Sequence, residues 1–221
     1  MEHRHLDPGP AQDYRVEIEN QWTEYNYRNF FRILHTELRH RLKDGRMSKL
    51  LTRLSFERGD SVGVLLHDPV QDQVILTKQF RFPVYAGLSP EARERSGTQK
   101  AWLLEVVAGM TTDDTPAIGD AKRELLEEVG YVPTGSLSYI STVYVSPGGT
   151  SERVHLYLGQ VNATQPVLPG GGLEEEGEDI EAVVLPFQEA IEMVERGEIQ
   201  DAKTLICLQY LALRKAKTGQ G

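Results

Sequence analysis

The stretch Arg123-Glu124-Leu125-Leu126-Glu127-Glu128-Val129-Gly130 constrains this chain more than any other. It closes a run, Pro116 to Val129, in which Ile118, Ala121, Leu125 and Val129 fall at i, i+3, i+7 and i+11. An α-helix turns by about 100° per residue, so this spacing gathers the four side chains on one apolar stripe. Gly130 supplies the stop, because glycine readily takes the left-handed conformation that ends a helix. Glu124, Glu127 and Glu128 stand at i, i+3 and i+4, within an arc of roughly 100° beside the stripe. Carboxylates that close repel one another, by roughly 0.2–0.5 kcal/mol per pair on an isolated helix. A solvated acidic face tolerates this. A hard divalent cation, which prefers oxygen ligands, removes it. By themselves the three glutamates fit either reading.

The rest of the chain alternates short β-rich runs with helical patterns. Tyr27 to Leu42 and Lys49 to Phe56 flank Lys43-Asp44-Gly45-Arg46, and Asp-Gly between two such runs predicts a hairpin. Val62 to Leu66, Val74 to Phe80 and Trp102 to Val107 read as strands, with the polar stretch Ser89 to Lys100 as an excursion loop. Further strands are expected at about 137–145, 153–161 and 180–185. Helices are expected from Pro186 to about Arg196 and from Asp201 to about Lys215. Strands interrupted by a few helices predict an α/β sandwich. The organisation expected is an antiparallel N-terminal element over 1–57 followed by one catalytic domain over 58–221.

Charge and cysteine content narrow the function classes. The formal net charge is −9, the reverse of the basic balance that a nucleic-acid groove shows, so nucleic acid is not an expected partner. Cys207, the one cysteine, lies in the apolar run Leu205-Ile206-Cys207-Leu208 and reads as a packing residue. With no intrachain disulfide possible, a reducing, cytoplasmic setting is expected. No apolar run is long enough for a membrane helix, and Met1-Glu2-His3-Arg4-His5 lacks the apolar stretch of a signal peptide. The histidines show no zinc-like spacing, and His155 reads as a packed strand residue.

Spacing around the acidic helix carries a resemblance. Gly109, five residues, Thr115, seven residues, then Arg123-Glu124-Leu125-Leu126-Glu127-Glu128-Val129-Gly130-Tyr131 resembles the Nudix box. That pattern has Glu where this chain has Thr115; Asp114 is the neighbouring substitute. The resemblance runs over about residues 50–212. Trp102 to Met110 is similar to the strand entering the box in ADP-ribose pyrophosphatases. Ser146-Pro147-Gly148-Gly149-Thr150-Ser151-Glu152-Arg153 and the acidic loop Gly170 to Ile180 are similar to loops of the same branch. Gly197 to Thr204 looks like the tail of GDP-mannose hydrolases. The resemblance implies a Nudix fold, an α/β/α sandwich with a mixed β-sheet, preceded by an antiparallel β element that forms a domain-swapped homodimer.

It also implies roles. Glu124, Glu127 and Glu128, with the backbone carbonyl of Ala108, would hold Mg²⁺ or Mn²⁺, and Arg123 would orient a neighbouring Glu. Glu176 and Glu178 would divide the tasks of general base and metal contact, in an order left open. Arg81 and Glu105 would meet substrate, as would Met110 and Glu152 at the sugar. Gly148 and Gly149 would let backbone approach the ligand. An aromatic from the N-terminal element (Trp22, Tyr27 or Phe30) would stack on the base. The expected activity is metal-dependent hydrolysis of the pyrophosphate of a nucleoside diphosphate sugar, ADP-ribose favoured, with GDP-mannose or UDP-glucose as the alternative. Thr115 favours a rival of another class, a catalytically weak sugar-nucleotide sensor.

Overall fold

A computed structural model of the chain describes residues 15–28, 30–112, 116–173, 175 and 177–219. The described residues divide into two compact units. One holds the residues up to Arg58 together with Ser146–Ser151; the other holds Gly59–Val145 and the described residues from Glu152 onward.

The first unit is an antiparallel sheet of β1 (Val16–Tyr27), β2 (Phe31–His40) and β3 (Leu51–Glu57), in that order. The expected turn at Asp44-Gly45 lies between β2 and β3. There Gly45 takes φ 84° and Asp44 accepts the Arg46 backbone N–H at 3.0 Å. The chain also reverses one strand earlier, so the run expected from Tyr27 is split. Arg28 takes the left-handed φ of 50° and Phe30 N–H donates to the Tyr27 carbonyl at 2.8 Å. No glycine marks that reversal, which is why the pattern hides it. Cross-strand partners share a face. The register sets Trp22 against His35 and His35 against Leu54, with Tyr25–Ile33 and Tyr27–Phe31 on the same side. Trp22 and His35 stack at 3.9 Å between ring centroids.

The second unit is built on a mixed seven-stranded sheet. Its elements are β4 (Ser61–Asp68), β5 (Gln73–Phe80), β6 (Trp102–Glu105), β7 (Val107–Met110), β8 (Ser138–Tyr144), β9 (Arg153–Gln160) and β10 (Ile180–Pro186). The order is β10-β5-β4-β9-β8, with β6 added to β5 and β7 to β4. β4 and β9 are parallel and the other pairs antiparallel. The expected strand Trp102–Val107 is two strands. The chain changes partners at the fully buried Val106, whose N–H donates to Thr204 Oγ1 at 2.7 Å. The expected excursion after Phe80 contains α1 (Phe82–Gly87), α2 (Pro90–Ser96) and a 3₁₀ turn at Gln99–Ala101. Ser89 caps α2 by accepting the Ala92 N–H at 3.2 Å.

Side-chain alternation along the strands feeds two cores. Val62, Val64, Leu66 and Val107 pack with Ala121 and Leu125 of α3 (Ala117–Glu128) and with Val129, which caps its C-terminal end. On the opposite face Leu65, Leu76, Val154 and Leu156 pack with Phe187 and Ala190 of α4 (Phe187–Glu195) and with Cys207, Leu208 and Leu211 of α5 (Ala202–Thr218). Helices cover both faces, so this unit is an α/β/α sandwich. The stripe expected on α3 is buried at Ala121, Leu125 and Val129, while Ile118 at its start is 38% exposed. Among the described residues no helix is long and apolar enough to cross a membrane.

Candidate active site

α3 lays its acidic face against the end of β7. Glu128 is buried, 3% exposed, and accepts the Ala108 backbone N–H at 3.3 Å. A Cβ on Gly109 would fall on the Glu124 carboxylate, so glycine alone lets that side chain lie against the strand. Arg123 donates to Glu124 Oε1 at 2.6 Å and to Glu127 Oε2 at 2.6 Å. Burial, and then repulsion from Glu124, pushes the Glu128 carboxyl up to about 8. Burial likewise raises Glu124, against the pull of Arg123. Asp120, also buried on α3, accepts from both the backbone N–H and the hydroxyl of Thr112 (3.1 and 3.2 Å) and so braces the segment entering the helix. Asp114 and Thr115 lie outside the described residues.

A loop closes over the helix end. The Val167 and Leu168 N–H groups donate to the Gly130 carbonyl at 2.7 and 3.2 Å. Glu178 follows on this loop, its Oε2 accepting the Leu173 N–H at 2.9 Å. Its negative charge is among those that raise Glu124 and Glu128, so the three carboxylates sense one another. Glu176 lies outside the described residues.

A second charged group borders the acidic face. Arg81, at the end of β5, grips Glu105 of β6 through two bonds, Nε–Oε1 at 2.6 Å and NH2–Oε2 at 3.0 Å. Burial lowers the affinity of Arg81 for its proton, but Glu105 more than offsets this and Glu128 adds to it, so the group is held cationic. Lys203 donates to the same Glu105 Oε2 at 3.1 Å and to Asp201 Oδ1 at 2.7 Å. Asp201 caps α5 by accepting from the Thr204 N–H and hydroxyl (2.9 and 2.7 Å). The sequence reading names Arg81 and Glu105 but assigns no role to Asp201, Lys203 or Thr204. Asp-Ala-Lys-Thr opening a helix is a capping signal, and nothing in it foretells that Lys203 reaches a strand 98 positions earlier.

The remaining named residues fall in two places. Met110 ends β7, and Glu152 accepts from Ser61 Oγ at 3.2 Å, both in the second unit. Gly148 and Gly149 form a turn in the first unit, where the Gly149 N–H donates to the Ser146 carbonyl at 3.0 Å and its carbonyl accepts the Phe56 N–H at 2.8 Å. Trp22, Tyr27 and Phe30 also belong to the first unit and are 41%, 44% and 64% exposed. His155 accepts or donates at Thr142 Oγ1 (2.9 Å) on β8, as a packed strand residue does.

Among the described residues no three His, Cys, Asp or Glu side chains stand together as a ready-made ligand set. Arg123 occupies two of the three α3 carboxylates, and the Leu173 amide holds the loop acid Glu178. The donors nonetheless suit a hard cation. They are all oxygen, they repel one another, and burial with repulsion from Glu124 raises the proton affinity of Glu128, a penalty that a bound cation relieves.

A sheet sandwiched between helices, with an arginine-glutamate helix seated on the strand that carries Gly109, defines the class: a Nudix fold. A family model described as the NUDIX domain matches residues 57–206, and the chain belongs to the Nudix hydrolase family. The chain is 38% identical to an ADP-ribose pyrophosphatase of Escherichia coli (strain K12) over 189 residues, 85% of this chain and 84% of that protein. It is 37% identical to a GDP-mannose pyrophosphatase of Pectobacterium atrosepticum over 159 residues, 72% of this chain and 76% of that protein. The crystal structure of an ADP compounds hydrolase superposes with a TM-score of 0.68, covering 96% of this chain and 100% of that one; at 18% identity it shares the fold.

Proposed function

We propose that this enzyme hydrolyses the pyrophosphate bond of a nucleoside diphosphate sugar, with ADP-ribose preferred and AMP and ribose 5-phosphate as products. The observation that carries the reading is the acidic face of α3, with Glu128 buried in it, beside the Arg81–Glu105 pair. Carboxylates and a guanidinium side by side suit a polyanion that arrives with divalent cations. The relatives named for ADP-ribose and GDP-mannose support the substrate class.

Glu124, Glu127 and Glu128, with the Ala108 carbonyl and Glu178, are the candidate ligands for Mg²⁺ or Mn²⁺. A divalent ion bound there supplies charge neutralisation and lowers the pKa of a coordinated water. Arg123 orients a neighbouring glutamate of the helix through its charge-assisted hydrogen bond. Arg81 meets a phosphate oxygen with its planar fork while Glu105 holds that fork in place. Glu176 or Glu178 takes the proton of the attacking water. Oxygen adds to one phosphorus, the P–O–P bond breaks, and the leaving phosphate departs with its electron pair. Met110 and Glu152 are assigned to the sugar, Gly148 and Gly149 to close backbone approach, and Trp22 or Tyr27 to base stacking. The chain works as a cytoplasmic, domain-swapped homodimer, with the 1–57 element as its dimerisation part and 58–221 as the catalytic domain.

A panel of ADP-ribose, GDP-mannose and UDP-glucose assayed with Mg²⁺ tests the substrate. GDP-mannose is the alternative that the second group of relatives favours. Glu127→Gln and Glu128→Gln are each expected to lower turnover by about two orders of magnitude or more with the fold intact. Wild-type turnover in both variants would remove the metal mechanism. Tight ADP-ribose binding with no product over hours would establish the sensor reading instead.

A further inference from the structure

Gly170, Gly171 and Gly172 all take positive φ, at 69°, 113° and 80°. Three consecutive residues in that region form a path that side-chain-bearing residues rarely follow. The path leads to the end of α3. The Gly171 N–H donates to the Glu128 carbonyl at 2.8 Å, and the Gly172 N–H donates to the Glu127 carbonyl at 3.1 Å. Both carbonyls are in the last turn of the helix, where no helical partner exists for them. The Gly171 carbonyl accepts the Ile180 N–H at 3.2 Å, so this one residue ties α3 to the start of β10.

Leu173 and Glu178 bond to each other beside those anchors. Leu173 N–H donates to Glu178 Oε2 at 2.9 Å, and the Leu173 carbonyl accepts the Glu178 N–H at 3.3 Å. Gly172 lies directly under that carboxylate. A Cβ there would stand 2.6 Å from Glu178 Oε2 and 2.7 Å from Glu178 Cβ. We infer that Gly172 is a positioning residue for Glu178: bonded to the backbone of the acidic helix and packed under the carboxylate, it fixes where that carboxylate stands relative to Glu124, Glu127 and Glu128. The strap makes the helix that carries three of the acids and the loop that carries the fourth one mechanical piece. The inference deepens the proposed hydrolysis and rests on the assignment of a working role to Glu178.

Gly177 provides the control. It lies in the same loop with φ 72°, and a Cβ there would meet no heavy atom within 4 Å. Alanine at 172 and at 177 therefore carries similar backbone strain, and only the first displaces Glu178. Gly172→Ala is expected to lower kcat about tenfold or more with KM within roughly threefold, since a small misplacement of a reacting group is costly. Gly177→Ala should change kcat by less than about threefold. In a Glu178→Gln background, Gly172→Ala should cost no more than about a further twofold, because residues acting through one another are not additive. Equal losses at 172 and 177, or full additivity with Glu178→Gln, overturn the inference. Wild-type turnover in Glu178→Gln itself sinks the functional assignment of Glu178, and the inference with it. One further readout needs neither activity nor a variant. The Gly171 and Gly172 amide hydrogens of the wild-type protein should exchange as slowly as those of α3. Exchange at open-loop rates would show the strap unattached and overturn the proposal.

Discussion

Glu128 shows how burial converts an ordinary side chain into a pH-sensitive one. Its carboxyl is pushed up to about 8 from an unfolded value near 4.5, chiefly by burial and then by Glu124. The folded metal-free protein therefore holds a proton that the unfolded chain has released. The resulting contribution to stability is complete below pH 4.5 and is lost as pH rises through about 8. Thermal unfolding in EDTA should accordingly show a melting temperature that falls from pH 5 to pH 8. Glu128→Gln should flatten that slope, and added Mg²⁺ should stabilise most at the alkaline end. A slope of the opposite sign, or one unchanged by Glu128→Gln, would contradict the buried-acid account. Cys207 is the other residue whose chemistry burial sets. Its thiol is pushed up to about 12, by burial first and by the nearby Asp201 charge second. It should resist a thiol reagent such as DTNB in the native protein and react fully once denatured, so rapid native labelling would contradict its place in the core.

At the scale of elements, α3 and α5 hold opposite faces of one sheet by different means. α3 is anchored by Ala121, Leu125 and Val129. Leu125→Ala should cost about 2–5 kcal/mol in urea unfolding, the range for a buried leucine whose neighbours relax only partly. A loss below about 1 kcal/mol would mean that the core collapses onto the gap. α5 adds a polar anchor to its apolar face. The Thr204 hydroxyl accepts the buried Val106 N–H where β6 gives way to β7. Thr204→Val leaves that N–H without its partner and should cost about 1–3 kcal/mol. The helical stripe and the acidic arc were both legible from spacing, because helix periodicity is local. The partner change at Val106 was not, because a run of apolar residues reads alike whether it pairs with one strand or two. The extra helices of the excursion after Phe80 were also missed, since Glu, Arg and Ser there satisfy loop and helix composition equally.

For the whole molecule, the three-stranded unit is informative through its surface. Trp22, Tyr25, Tyr27 and Leu54 share one face and are 41–57% exposed. Exposed apolar area of this kind is usually covered by a partner. Light scattering should return about twice the chain mass of 24.9 kDa, as expected for the proposed homodimer. Leu54→Glu should shift the mass toward the monomer while the second unit stays folded. A wild-type monomer at micromolar concentration would remove the dimer from the reading.

Local pattern by itself determined a good deal. It set the α3 helix and its acid spacing, the glycine stop, the strand-rich order and hence the sandwich, because periodicity and turn chemistry act within a few residues. The tertiary structure alone decided which distant groups meet. Lys203 and Arg81 converge on Glu105, Gly109 makes room for Glu124, and the glycine strap brings Glu178 to the helix end. Burial and proton affinity depend on what packs around a group, and that environment is assembled only when strands and helices far apart in the chain close on one another.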